Sequence, residues 1–177
     1  MFLLGDHCAV YVCENIFFHT CAIHCCHDHF IWNVYNERTI LQAKVSGVWL
    51  SHPDCLPKEH VTDFPPSWDL KAGISAAGSL IDNCFTGWDG LACVTWPDQK
   101  LQLALNLSAV SAEVSAHFAS PNYLLVFRKI EGNHFCLEPV SHPIDAFHQP
   151  GQPGLQVLKK GESLTMAVSW RFKTTQE

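Results

Sequence analysis

The carboxylate of Glu138 is the side chain this sequence places best for moving a proton. It closes the apolar run Phe135-Cys136-Leu137 and is followed by Pro139-Val140-Ser141-His142-Pro143. Proline at 139 pushes the preceding residue into extended geometry and removes one backbone donor, so a strand ends there or runs along an edge. A carboxylate fixed in this way suits general-base catalysis, which needs a group within hydrogen-bond reach of its proton and a pKa tuned by partial burial. Phe135, Leu137 and Phe147 are the apolar residues that would tune it. The alternative role of a lone Glu-Pro pair is an edge glutamate turned to water.

A second acidic group, Asp82, stands in Leu80-Ile81-Asp82-Asn83-Cys84-Phe85-Thr86-Gly87-Trp88-Asp89-Gly90. An ionised carboxylate accepts strongly from paired O–H groups, and the competing role is a turn or cap residue ahead of Asn83. Trp49 and Trp88 offer flat apolar faces of the kind on which sugar C–H groups stack, with core packing as the other use of an indole. His134, earlier on the strand that ends in Glu138, and His142, just after it, are acid candidates by proximity.

These segments form an ordered set with Gly47-Val48-Trp49-Leu50, Leu56-Pro57 and the closing Leu158-Lys159-Lys160-Gly161-Glu162-Ser163-Leu164. The set resembles the aldose 1-epimerase (galactose mutarotase) family, in its bacterial aldose-epimerase-like branch, from about Leu41 to Phe172. The resemblance implies a large twisted β-sandwich that interconverts the α and β anomers of an aldohexose by acid–base ring opening. Glu138 matches the family's base, and Asp82 matches the aspartate that hydrogen-bonds sugar hydroxyls. The family's acid is a histidine opening a His-Pro-aromatic-Phe stretch, whose nearest counterpart is His29-Phe30-Ile31-Trp32, without the proline. Trp49, Trp88 and His142 complete the expected substrate-binding set. A catalytically silent carbohydrate-binding sandwich, or a truncated fragment lacking the acid, is the alternative.

Composition fits one globular domain, since 47% apolar and 16% charged residues over 177 positions can bury a core. The net charge of −6, with eleven scattered basic residues, excludes a nucleic-acid surface. No phosphate loop, dinucleotide fingerprint or paired zinc-protease histidines occur, so no cofactor is expected. The nine cysteines are odd in number and irregularly spaced, with five in the first 26 residues, and so read as reduced thiols. The run Cys21-Ala22-Ile23-His24-Cys25-Cys26-His27-Asp28-His29 is dense enough to raise zinc, but it lacks the second ligand pair across a loop that a structural site uses, and no metal is expected.

Residues 1–40 read as an unmatched Cys- and His-rich leader, an unfolded or aberrant segment, with the mutarotase-like domain over residues 41–177. The chain reads as a C-terminal portion of the family behind an unrelated leader, as a truncated or frame-shifted reading frame would give. No basic residue precedes Arg38 and no run of about 18 apolar residues exists, which excludes a signal peptide and a membrane span and points to the cytoplasm.

The elements that must carry these side chains are strands. Leu101-Gln102-Leu103-Ala104-Leu105-Asn106-Leu107 sets four leucines at period two, so one face is buried and the other carries Gln102, Ala104 and Asn106. Leu91 to Trp96 stops at Pro97-Asp98 and forms a hairpin with it. Gln42 to Leu50, Tyr123 to Arg128, His134 to Glu138 and Leu164 to Phe172 supply further strands. Ser51 to Ser67 holds four of the ten prolines and reads as a long loop, Gly151-Gln152-Pro153-Gly154 as a second, and Leu107 to Phe118 as a short helix. The expected fold class is all-β, an antiparallel sandwich with missing strands, whose bare edges favour self-association.

Overall fold

The structure is a computed structural model that describes residues 6–13, 31–33, 37–108, 123–130, 134–155 and 164–175. Its strands are β1 (Asp6–Cys13), β2 (Ile31–Asn33), β3 (Ile40–Ala43), β4 (Gly47–Ser51), β5 (Pro57–Val61), β6 (Ile74–Ser75), β7 (Ile81–Thr86), β8 (Leu91–Trp96), β9 (Leu101–Ser108), β10 (Tyr123–Arg128), β11 (His134–Val140) and β12 (Leu164–Thr174). They form two six-stranded sheets. Sheet I runs β1-β12-β9-β8-β3-β6 and sheet II runs β2-β11-β10-β7-β4-β5. Neighbouring strands are antiparallel throughout. Asp6–Cys13 and Ile31–Asn33, ahead of the boundary expected at residue 40, are thus edge strands of the two sheets.

The alternation of apolar residues dictates which face each strand buries. Leu41, Ala43, Ala92, Val94, Trp96, Leu103, Leu105, Val168 and Trp170 of sheet I meet Val48, Ile81, Phe85, Leu124, Val126, Phe135 and Leu137 of sheet II in one core. The leucine repeat behaves as its period requires, with Leu103 and Leu105 buried on β9. The β8–β9 hairpin is closed by a 3-10 turn at Pro97–Gln99, with Lys100 left-handed at φ 50°. Among the described residues no helix is long and apolar enough to cross a membrane.

Two expectations change. The stretch from Ser51 to Ser67 is not one loop, because it contains β5 and a 3-10 turn at Pro66–Trp68. An edge strand has an unpaired side, so Pro57 is tolerated at its start and Lys58-Glu59-His60 need not alternate with apolar residues. Likewise β11 passes the end expected at Glu138 and continues through Pro139 to Val140, taking the edge course that a proline also permits. There the described part of β2 pairs only with His134 to Cys136, so Pro139 has a single described neighbour, Leu124 on β10. Leu107 and Ser108 belong to β9, and the rest of the expected helix lies outside the described residues.

A buried guanidinium anchors the lower end of sheet II. Arg128 is 2% exposed on the core side of β10 and donates from Nε to Ser79 O (2.8 Å) and from Nη1 to Ser75 O (2.6 Å). Its Nη2 donates to Ser67 O (3.4 Å) and Ser79 Oγ (3.2 Å). The segment between the 3-10 turn and β7 is therefore tied to β10 by one side chain, immediately before Asp82.

Candidate functional site

The face of sheet II turned away from the core carries Asp82 and Glu138. Period two puts Asp82, Cys84 and Thr86 of β7 on that face, opposite to Ile81, Asn83 and Phe85. Tyr123, Leu125 and Phe127 of β10 and His134, Cys136 and Glu138 of β11 share it. The register aligns two cross-strand rows. One runs Asp82–Phe127–Cys136, and the other runs His60–Trp49–Cys84–Leu125–Glu138.

Glu138 and Asp82 both bear on the charge of one thiol. Cys136 is 5% exposed, and its burial, then the charge of Glu138, then that of Asp82, push the thiol up to about 11. The two carboxylates are on the same side of the sheet, Asp82 in the cross-strand row of Cys136 and Glu138 two residues further along β11. Between them Leu125 and Phe127 are half-buried, and they form an apolar floor. The Asp82 carboxyl itself sits above the usual carboxylate range because part of it is withdrawn from water. His134 is on the same face with its ring stacked on Phe127, centroids 6.1 Å apart.

Trp49 and Trp88 come together elsewhere, at an open hollow of about 690 Å³. Its sheet side is Trp49, His60, Thr86 and Tyr123; its other side is Gln149, Pro150 and Pro153 from the loop after β11. Trp88 is 2% exposed and belongs to the core, its indole donating to Leu91 O at 2.8 Å, so only an edge of it reaches the hollow. Trp49 is half-buried and meets the His60 ring at 5.2 Å between centroids. His60 Nε2 lies 2.9 Å from Thr86 Oγ1. The Tyr123 hydroxyl is held protonated above the ordinary phenol range by burial and by the nearby Cys84.

The loop 141–155 lies between the two places. Cys84 points outward yet is 0% exposed, because this loop roofs it, with the backbone of Ile144 hydrogen-bonded to its sulfur. Burial pushes that thiol up to about 12. His142 is part of the roof: its Nδ1 donates to Pro143 O at 3.0 Å, and its Nε2 is buried without a protein partner among the described residues. The loop braces itself through Ala146, His148, Gln149, Gln152 and Leu155, whose backbone N–H groups each donate to a carbonyl three residues earlier.

The expected residues thus divide into Glu138 with Asp82, Trp49 with Trp88, and His142 in the loop between. His29 lies outside the described residues, as does the Cys21–His29 cluster. No group of three or more metal-ligating side chains occurs among the described residues. Sequence reasoning missed His60, Tyr123 and Gln149. His60 hides in a charged edge strand, and Gln149 in a loop with no motif; Tyr123 carried a signal, since it opens a strand whose alternation puts it on the outer face.

No family model matches the chain. Among curated proteins it is 27% identical over 145 residues to the uncharacterized protein YphB of Escherichia coli (strain K12), covering 80% of this chain and 49% of that one. Among solved structures it superposes on a provisional aldose 1-epimerase of Escherichia coli K12 with TM-score 0.69 and 25% identity, over 81% of this chain and 48% of that one. A galactose mutarotase-like protein of Clostridium acetobutylicum gives TM-score 0.66 at 16% identity, over 83% of this chain and 46% of that one. The chain spans about half the length of the curated relative it matches. Two antiparallel sheets in this order, matched over four fifths of the chain, make it a galactose mutarotase-like β-sandwich similar to aldose 1-epimerase proteins.

Proposed function

We propose that this protein exchanges the α and β anomers of an unphosphorylated aldohexose on the outer face of sheet II. Glu138 takes the proton from the C1 hydroxyl while an acid protonates the ring oxygen, and the C1–O5 bond breaks to leave an open-chain aldehyde. Rotation about C1–C2 presents the other carbonyl face, and the two transfers then run in reverse. Asp82 accepts hydrogen bonds from ring hydroxyls, and Leu125 and Phe127 carry the apolar face of the sugar. His29 is the proposed acid: it precedes by two residues the strand β2, which pairs with β11, the strand of Glu138. The observation that supports the reading is that Glu138 and Asp82 share the outer face of a mutarotase-like sheet, in adjacent cross-strand rows.

The test is polarimetry of freshly dissolved α-D-glucose and α-D-galactose. Glu138→Gln lowers the catalysed rate by about 10²-fold or more, the usual worth of a general base. Equal rates for wild type and variant leave the second reading, a sugar-binding sandwich without turnover. In that reading Asp82 and Glu138 hold the sugar by its hydroxyls without transferring a proton.

A further inference from the structure

We infer that the hollow between Trp49 and the loop 141–155 is a second binding site, for a neutral saccharide, separate from the carboxylate pair. Trp49 and Glu138 stand in one cross-strand row, three strand spacings or about 14 Å apart. The residue between them on the Trp49 side, Cys84, is sealed by the loop, so the hollow opens on one side of a ridge and Glu138 lies on the other.

The hollow is built for an uncharged ligand that shows both C–H faces and hydroxyls. Trp49 supplies a half-exposed indole as a stacking surface. Around it His60, Thr86, Tyr123 and Gln149 supply neutral donors and acceptors, and none of the described lining residues is Asp, Glu, Lys or Arg. A phosphorylated sugar would find no cation in these walls, and a cationic ligand no carboxylate. The anchors are fixed in advance: His60 is held by Thr86 and lies across the bare α-carbon of Gly47. Gln149 is held by its side-chain amide, which donates to Ile144 O at 2.9 Å. Preorganised groups of this kind reduce the ordering cost of binding.

The experiment is isothermal titration calorimetry of the full chain with D-glucose, maltose and D-glucose 6-phosphate. The double variant Glu138→Gln/Asp82→Asn keeps the saccharide affinity of the hollow within about two-fold, whereas Trp49→Ala and His60→Ala each weaken it by about ten-fold. D-Glucose 6-phosphate gains nothing over D-glucose. Circular dichroism checks each variant, and Gln149→Ala, in the exposed loop, reads the same site should Trp49→Ala misfold. The inference falls if the double carboxylate variant loses as much affinity as Trp49→Ala, which would mean one site or one ligand bridging both. It falls equally if no saccharide binding responds to Trp49, His60 or Gln149. The anomer-exchange reading fails differently, by equal polarimetric rates for wild type and Glu138→Gln, and that result leaves the calorimetric one intact.

Discussion

The imidazole of His60 occupies the space where any residue but glycine at position 47 would carry its β-carbon: a carbon built there meets His60 Nε2 at 2.7 Å and Thr86 Oγ1 at 2.9 Å. Gly47→Ala therefore pushes the ring off β4 and separates it from Thr86. Both atoms belong to side chains that can move, so the destabilisation is modest, about 1–2 kcal/mol by analogy with overpacked sites. Urea unfolding measures it. The same variant weakens saccharide binding in the hollow as His60→Ala does; unchanged binding together with unchanged stability would show that the ring is not held as described.

The Cys136 thiol reports the charge of the two carboxylates without any assay of turnover. Burial is the main reason that the Cys136 thiol sits near 11, with Glu138 and Asp82 adding to it because a nearby negative charge opposes the thiolate. Glu138→Gln and Asp82→Asn each lower that pKa, Glu138→Gln by more, and the double variant lowers it furthest. The rate of alkylation of Cys136 against pH, followed by mass spectrometry, gives the midpoint. A midpoint that stays put in the double variant would place the carboxylates away from Cys136.

Asp82 predicts a conflict between stability and binding. Its folded pKa is raised by desolvation above the unfolded value, so the ionised form opposes folding at neutral pH, and that opposition fades as pH falls through the folded pKa. Asp82→Asn consequently unfolds at a urea concentration equal to or above that of wild type at pH 7, with the difference shrinking toward pH 4. Glucose binding at the carboxylate site weakens in the same variant. A clear loss of stability at pH 7 would mean that Asp82 makes a structural bond that outweighs its burial.

Where a side chain repeats with the period of its element, the sequence was enough to place it. Leu103 and Leu105 are buried and Asn106 is exposed on β9, as a half-buried strand demands, and the ordered motifs led to Asp82 and Glu138, which share one face. Edges defeat the same reasoning. Lys58-Glu59-His60 has no apolar alternation because β5 lies at the edge of the described sheet, with β4 as its one described neighbour, and so its histidine looked like part of a loop. Trp88 fills both of the roles open to it, buried in the core and reaching the hollow beside Trp49, a division that spacing alone does not show. The ridge that divides the outer face could not be foreseen either, since it depends on how residues 141–155 fold back over Cys84, a contact with no trace in local spacing.

Arg128 should be the most damaging single position in sheet II outside the apolar core. The carbonyls of Ser67, Ser75 and Ser79, from three different stretches of the chain, converge on its guanidinium, and burial lowers its pKa from the usual arginine value. Arg128→Met fills much of the volume but leaves those acceptors without their donors, which costs about 3 kcal/mol or more. Arg128→Lys restores a charge with a single ammonium and recovers only part of the loss, because one point cannot reach carbonyls that a planar fork spans. Guanidinium unfolding ranks the three proteins, and equal stability of wild type and Arg128→Met would show that these hydrogen bonds are made to water instead.

The wall of the hollow rests on Gly154. Its φ is +74°, and a β-carbon there would stand 2.0 Å from Ser141 O and 2.9 Å from His142 Cα, both backbone atoms that cannot turn aside. Gly154→Ala therefore combines a left-handed strain of about 1 kcal/mol with a clash that lifts residues 151–155 away from Ser141 and His142. Because Gln149, Pro150 and Pro153 ride on the same loop, the hollow widens and Cys84 loses part of its roof. Two readings should change together: Cys84 becomes reactive to a thiol reagent that leaves the wild-type residue untouched, and saccharide affinity at Trp49 falls. Protection of Cys84 in the variant equal to wild type would show that the loop is held by contacts other than the close approach of Gly154 to Ser141.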